Sequence, residues 1–151
     1  MVPGGTDGRR GLAPSGPGKG VRSTVMQKRV LVVDDHPPTL RLITNALKGK
    51  GVDVATARNG AECLLAIENQ RPDLLVLDVV MPVMDGFQTL RVIRENQATR
   101  TLPVIILSLR SEDEAVLKGL SGGADIYITK PFKMADLVTA VMRILLVTDG
   151  T

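Results

Sequence analysis

The stretch Val30-Leu31-Val32-Val33-Asp34-Asp35 decides the fold, because a run of four apolar residues ends in two adjacent carboxylates. Three later apolar runs end in the same way at a polar side chain, namely Asp78, Ser108 and Lys130. Short runs rich in Val, Ile and Leu that are separated by helical segments are typical of parallel strands buried on both faces. The sequence therefore predicts an α/β protein in which these polar residues share the carboxyl edge of one sheet.

A strand followed by a helix occurs five times from Lys28 onward. We predict strands near 29–34, 52–56, 73–78, 103–108 and 125–129, and helices near 37–49, 60–70, 86–96, 112–121 and 132–146. Such alternation predicts right-handed crossovers and a doubly wound sheet. Asn59 with Glu62, Asp85-Gly86, and a capping box of Ser111 and Glu114 are predicted helix starts.

The acidic residues are the main candidates for a functional site. In a sheet of order 2-1-3-4-5, the first and third strands are neighbours, so Asp34, Asp35 and Asp78 meet between them. Three clustered carboxylates repel one another unless a cation is present, and hard oxygen ligands favour Mg²⁺. The alternative interpretation is that Asp35 only caps the first helix. Ser108 and Lys130 add a hydroxyl and a cation that suit a phosphoryl group.

Composition limits the possible classes of protein. The chain has 151 residues with 44% hydrophobic side chains, and no apolar run reaches the length of a membrane span. Its net charge of +3 comes from residues 1–27, which hold four basic residues and one acidic residue. The remainder is neutral, so we expect no direct nucleic-acid binding. The single cysteine, Cys63, is consistent with a reducing cytoplasm.

The chain divides into a tail and one domain. Residues 1–27 are rich in Gly and Pro and basic, and we expect them to be disordered. Residues 28–147 form the predicted domain. Met26 lies just before the first strand, and an alternative interpretation makes it the natural start of the protein.

Three motifs resemble the receiver domain of bacterial two-component response regulators. They are Leu31-Val32-Val33-Asp34-Asp35-His36, the run from Leu77 to Gly86 that contains Asp78 and Met81-Pro82, and Gly123 to Phe132 with Lys130-Pro131. The resemblance covers about residues 28–146. It implies a flavodoxin-like (βα)5 fold of strand order 2-1-3-4-5 and a phosphorylation-dependent signalling switch.

The resemblance also implies a role for each matching position. Asp78 is implied to take a phosphoryl group from a phosphohistidine, while Ser108 and Lys130 contact that group. The implied Mg²⁺ ligands are Asp34, acting partly through water, together with Asp35, Asp78 and the backbone carbonyl of Val80. Tyr127 matches the aromatic residue that turns inward when Ser108 moves, and the Lys130-Pro131 peptide is implied to be cis.

Two positions, Leu109 and Ser108, depart from the family pattern, and Ser108 keeps the hydroxyl of the commoner threonine. Leu109 follows the hydroxyl where the family usually has a small residue, so we expect its side chain to shield Asp78. Val80 places no polar group for an attacking water. His36 has no matching partner in the sequence, so a catalytic role for it is not favoured.

Two other classes of protein remain as alternatives. Phosphatases of the haloacid dehalogenase group need an Asp-x-Asp order that Asp34-Asp35-His36 does not supply. A structural pseudo-receiver normally lacks acidic or lysine positions that are present here.

The implied partners are a sensor histidine kinase or phosphotransfer protein and an unknown downstream target. We expect no membrane association, a cytoplasmic location, and a possible dimer through the fourth helix, fifth strand and fifth helix. The chain is expected to catalyse only its own phosphoryl transfer and dephosphorylation. The sequence leaves open whether it is a stand-alone regulator or part of a longer one.

Overall fold

The computed structural model describes residues 27–79 and 84–149 of the chain. The predicted tail up to Met26, and Val80 with its implied carbonyl ligand, lie outside the described residues. In these two described ranges, five strands alternate with five helices. The strands are β1 (Arg29–Val33), β2 (Asp53–Ala57), β3 (Leu74–Asp78), β4 (Val104–Ser108) and β5 (Ile126–Thr129). The helices are α1 (Pro37–Lys48), α2 (Gly60–Asn69), α3 (Gly86–Glu95), α4 (Asp113–Ser121) and α5 (Met134–Asp149).

All strand pairs are parallel, and the order across the sheet is β2-β1-β3-β4-β5. The predicted order 2-1-3-4-5 is therefore confirmed. β1 and β3 are neighbours, with Val33 paired to Leu77 at their carboxyl ends. This pairing brings the residues that follow β1 next to the last residue of β3, where the sequence predicts the site.

Alternate residues of each strand face opposite layers of helices, as the period of two requires. Leu31, Leu75 and Ile106 pack in a cluster with residues of α2 and α3. Val32, Val76 and Ile105 pack in a second cluster with residues of α1 and α5. The central strands β3 and β4 are buried at every residue, so the sheet is a rigid base for the side chains at its edge.

Helix starts agree with the sequence in two of three cases. The Asn59 side chain accepts a hydrogen bond from the Glu62 amide at 2.8 Å, and Asp85 forms a capping box with Gln88. The capping box of Ser111 and Glu114 is wrong, because Glu112 is the N-cap of α4 and its side chain makes no capping bond. α5 begins at Met134, two residues later than predicted.

Arg94 of α3 ties together the two turns that precede β4 and β5. Its Nε and Nη2 donate to the Gly123 carbonyl at 3.0 and 2.7 Å, and Nη1 donates to the Arg100 carbonyl at 3.1 Å. Gly123 has a φ of +108°, and a Cβ there would lie 2.6 Å from Arg94 Nε. Glycine suits this position, because it adopts a positive φ without strain and has no Cβ to meet the Arg94 side chain. The hydrogen bonds from Arg94 to the Gly123 carbonyl fix the turn after α4 to α3.

No helix within residues 27–79 and 84–149 is both long enough and apolar enough to cross a membrane.

Candidate functional site

Three carboxylates lie together at the carboxyl edge of β1 and β3. One oxygen from each of Asp34, Asp35 and Asp78 lies within 4.8 Å of the others. Asp34 and Asp78 are buried, whereas Asp35 is exposed. The expected meeting of these three residues is therefore present in the structure.

Lys130 lies between the two buried carboxylates. Its Nζ is 3.1 Å from Asp34 Oδ2 and 3.5 Å from Asp78 Oδ1. The other oxygen of Asp34, Oδ1, accepts a hydrogen bond from the His36 amide at 2.9 Å. Within residues 27–79 and 84–149, three formal negative charges face one ammonium group here, which is an excess of negative charge. The Lys130-Pro131 peptide is cis, as the resemblance implies.

Asp35 does not cap α1. The N-cap is His36, which makes no side-chain capping bond, and prolines occupy the first two helical positions. The alternative that explained Asp35 as a structural cap is therefore wrong. This result leaves its exposed carboxylate beside the two buried ones.

Ser108 ends β4 and is fully buried. Its Oγ accepts a hydrogen bond from the Arg110 amide at 2.9 Å, and its carbonyl accepts one from the Lys130 amide at 2.7 Å. The second bond holds the backbone of Lys130 against the end of β4, which fixes the starting point of the lysine side chain.

Tyr127 of β5 contacts the same loop. Its hydroxyl donates to the Arg110 carbonyl at 2.7 Å. The ring packs against α4 at Gly119, where a Cβ would lie 2.7 Å from Cδ2 of the ring. The main chain of Arg110 therefore bonds both residues that the resemblance implicates in switching, Ser108 and Tyr127.

The carboxylates open into a cavity of about 380 Å³. The described residues that line it are Asp34, Asp35, His36, Thr39, Asp78, Leu109 and Lys130. The Leu109 side chain is 70% exposed, so it stands at the rim of the cavity. Whether it shields Asp78 stays a prediction.

His36 and Thr39 line this cavity, but sequence reasoning missed Thr39 and set His36 aside for want of a partner. The partner is Thr39, because His36 Nδ1 lies 2.7 Å from Thr39 Oγ1. Their spacing of three residues, at the start of a predicted helix, is the signal that could have found the contact.

The side chains of Glu112 and Arg110, which lie near the site, have shifted pKa values, and so does the buried thiol of Cys63. The pKa of Glu112 is lowered by a hydrogen bond from its own backbone amide and by one from Arg110. The hydrogen bond with Glu112, together with the charge of that carboxylate, raises the pKa of Arg110. Burial raises the pKa of Cys63 to about 12, so that thiol has no place in the chemistry of the site.

The arrangement supplies what a phosphoryl transfer to a carboxylate requires. It has a buried carboxylate acceptor, an ammonium group that contacts it, and a cavity open to a donor. The excess of negative charge in the cluster suits a divalent cation.

Comparison with known proteins agrees with this geometry. Residues 30–142 match the family model of the response regulator receiver domain. The chain is similar to the DNA-binding response regulator MtrA of Mycolicibacterium smegmatis, with 39% identity over 77% of this chain and 50% of MtrA. It is 42% identical to the transcriptional regulatory protein PrrA of Mycobacterium tuberculosis, over 80% of this chain and 51% of PrrA. The receiver domain of the Francisella response regulator 1452 superposes with a TM-score of 0.76 at 34% identity, covering 81% of this chain and 99% of that one.

One expectation is corrected by these relatives. The absence of direct nucleic-acid binding was inferred from the neutral charge of the predicted domain, yet MtrA is named as a DNA-binding response regulator. The chain spans about half the length of the curated relatives it matches. The charge of this half carries no information about the other half of such a protein, so the inference was wrong.

The family model covers most of the chain, including the residues that form the acidic cavity and nearly all of the parallel sheet. The relatives and the superposed structure are also response regulators. The chain therefore belongs to the response regulator receiver domain family of two-component systems, whose members are phosphorylation-dependent signalling switches.

Proposed function

We propose that Asp78 is the phospho-acceptor of this switch. The observation that carries the proposal is the position of Asp78, buried at the end of a central strand with its Oδ1 3.5 Å from Lys130 Nζ. Asp34 lies beyond the end of β1 and accepts bonds from the His36 amide and Lys130, a position that suits a carboxylate holding the lysine in place. Asp35 is exposed, where water would reach an acyl phosphate more easily.

The donor in this proposal is the phosphohistidine of a sensor histidine kinase or a phosphotransfer protein. A carboxylate oxygen of Asp78 supplies the electron pair of the new P–O bond, and the P–N bond of the donor breaks with its pair on the imidazole. Lys130 stabilises the charge on the phosphoryl oxygens. The chain catalyses only this transfer to itself and the later hydrolysis of its own acyl phosphate.

Mg²⁺ is the proposed cofactor. Asp35, Asp78 and the backbone carbonyl of Val80 would hold it directly, and Asp34 partly through water. The bound ion supplies positive charge that neutralises phosphoryl oxygens. Three carboxylates against one ammonium group support a divalent ion at this point.

The output in this proposal is read at the surface of α4, β5 and α5. The Ser108 hydroxyl breaks its hydrogen bond with the Arg110 amide and moves to the phosphoryl group. The Tyr127 side chain, whose hydroxyl bonds the Arg110 carbonyl, then turns inward. The name of MtrA favours control of DNA binding as the consequence. A beryllium fluoride complex is expected to shift the amide signals of residues 109–120 and 127–133 more than those of α2.

The acceptor is tested by intact-mass measurement after incubation with acetyl phosphate. We expect the wild-type chain to gain one phosphoryl group in the presence of Mg²⁺ and none in its absence. Asp78→Asn should abolish the gain, whereas the matched control Asp136→Asn, an exposed aspartate of α5, should keep it. Labelling that persists in Asp78→Asn refutes the assignment.

A further inference from the structure

The start of α1 leaves the side chain of His36 available for another role. Pro37 and Pro38 occupy the first two helical positions, and proline has no backbone N–H. One of the two amide donors that an N-cap side chain normally serves, the one at the second helical position, is therefore missing. The imidazole of His36 makes no capping bond.

The imidazole is instead held at the mouth of the acidic cavity. Its Nδ1 lies 2.7 Å from Oγ1 of Thr39, and both residues line the cavity together with Asp78 and the rim residue Leu109. Among the lining residues that the structure describes, His36 and Lys130 have side chains that carry nitrogen. Lys130 bonds the buried carboxylates, whereas His36 is exposed at the entrance.

The neighbouring groups favour one tautomer of the imidazole. The carboxylates that line the cavity with His36 accept hydrogen bonds and offer none, so a ring N–H can donate to them whereas a ring lone pair cannot bond them. The Thr39 hydroxyl, 2.7 Å from Nδ1, can donate to it, and a neutral ring that accepts this bond carries its proton on Nε2. Nε2–H is then a hydrogen-bond donor at the entrance of the cavity, held in place through the other ring nitrogen.

We propose that His36 recognises the leaving group of the phosphodonor, and that Thr39 positions its ring. This inference rests on the function proposed above and extends it to donor specificity. A donor reaching Asp78 carries its phosphoryl group inward and its leaving group toward the entrance, where the Nε2–H meets it. An acyl phosphate presents oxygen acceptors to this donor, whereas phosphoramidate presents a nitrogen that carries hydrogens.

The step needs no proton from His36. With acetyl phosphate, an oxygen of Asp78 forms the new P–O bond while the P–O bond to the acetyl group breaks. Its electron pair leaves on acetate, which departs as the anion. The Nε2–H donates a hydrogen bond to the oxygen on which this charge develops, and that bond strengthens as the charge grows.

Rates of phosphorylation with two small donors test the proposal. A hydrogen bond to a developing anion is worth about 1.5 kcal/mol or more, which corresponds to a loss of about tenfold. We therefore expect His36→Ala to slow labelling by acetyl phosphate about tenfold and labelling by phosphoramidate less than twofold. Thr39→Val, which keeps the ring but removes its hydroxyl partner, should give a smaller loss with the same selectivity. His36→Gln retains an N–H donor and should restore part of the rate.

Beryllium fluoride provides the control for damage to the site, because it mimics the phosphoryl group and has no leaving group. Its affinity should be the same for wild type and His36→Ala. Equal losses with both donors, or weaker beryllium fluoride binding, would show that His36 only supports the structure. Unchanged rates with both donors would also overturn the proposal. Failure of the phospho-acceptor assignment gives a different result, namely labelling that persists in Asp78→Asn.

Discussion

Replacing Asp35 with asparagine should stabilise the protein without metal and remove its stabilisation by Mg²⁺. Asp35 lies with one oxygen within 4.8 Å of oxygens from two other carboxylates. At that distance two unit charges repel by about 0.9 kcal/mol in water. Asp35 is exposed, so the value for water applies to its repulsion with Asp34 and to its repulsion with Asp78. Lys130 and dissolved salt screen these charges and reduce the summed repulsion to ~1 kcal/mol.

The size of the expected shift in melting temperature follows from the entropy of unfolding. A domain of roughly 120 residues has an unfolding entropy near 250 cal/mol/K, so ~1 kcal/mol corresponds to ~4 °C. In the wild type, Mg²⁺ at ten times its dissociation constant should add ~1.4 kcal/mol, or ~6 °C. Asp35→Asn should therefore melt above wild type in EDTA and show little further change with Mg²⁺.

The assay is a thermal melt in EDTA and in millimolar MgCl₂, followed by circular dichroism. Glu68→Gln is the matched control, because it neutralises an exposed carboxylate on α2 away from the cavity. The control should keep the full Mg²⁺ response. The reasoning is refuted if wild type shows no response, or if Asp35→Asn melts below wild type in EDTA.

Three further outcomes are expected. Arg94→Met should lower the melting temperature by ~4–8 °C, since it removes charged hydrogen bonds to the Gly123 and Arg100 carbonyls worth ~1–2 kcal/mol; a melt equal to wild type would contradict this. The Cys63 thiol should resist a thiol-specific reagent at pH 8 and react fully in denaturant, because burial raises its pKa to about 12; rapid reaction of the native protein would count against it. Leu109→Ala should speed labelling by acetyl phosphate severalfold by widening the cavity entrance, and an unchanged rate would show that this side chain does not limit access.

The sequence predicted the sheet well because its strands are coded by local composition. β3 and β4 consist almost entirely of Val, Ile and Leu, and both are buried at every residue. The contact between Asp34 and Lys130 spans 96 positions, yet it was foreseeable, since both residues follow strands that end at the same edge. In a buried parallel sheet, local apolar runs locate the strand ends, and residues at those ends lie close together although they are far apart in the sequence.

Features that depend on competition between neighbouring side chains were not predictable in this way. Ser111 and Glu114 fit a capping box, but α4 begins after Glu112, whose carboxylate pairs with Arg110 at 2.8 Å. The contact between His36 and Thr39 was missed because a histidine beside an acidic pair was judged alone. The DNA-binding relatives were missed for a different reason, since charge in one half of a protein does not report on the other.

Ser108 and Tyr127 are joined through the main chain of residue 110 rather than through its side chain. The Ser108 hydroxyl and the Tyr127 hydroxyl meet the amide and the carbonyl of residue 110, and neither touches its side chain in these bonds. Every amino acid except proline offers both groups. These two bonds therefore place no demand on the side chain of residue 110, and the charge of Arg110 matters instead through its pair with Glu112.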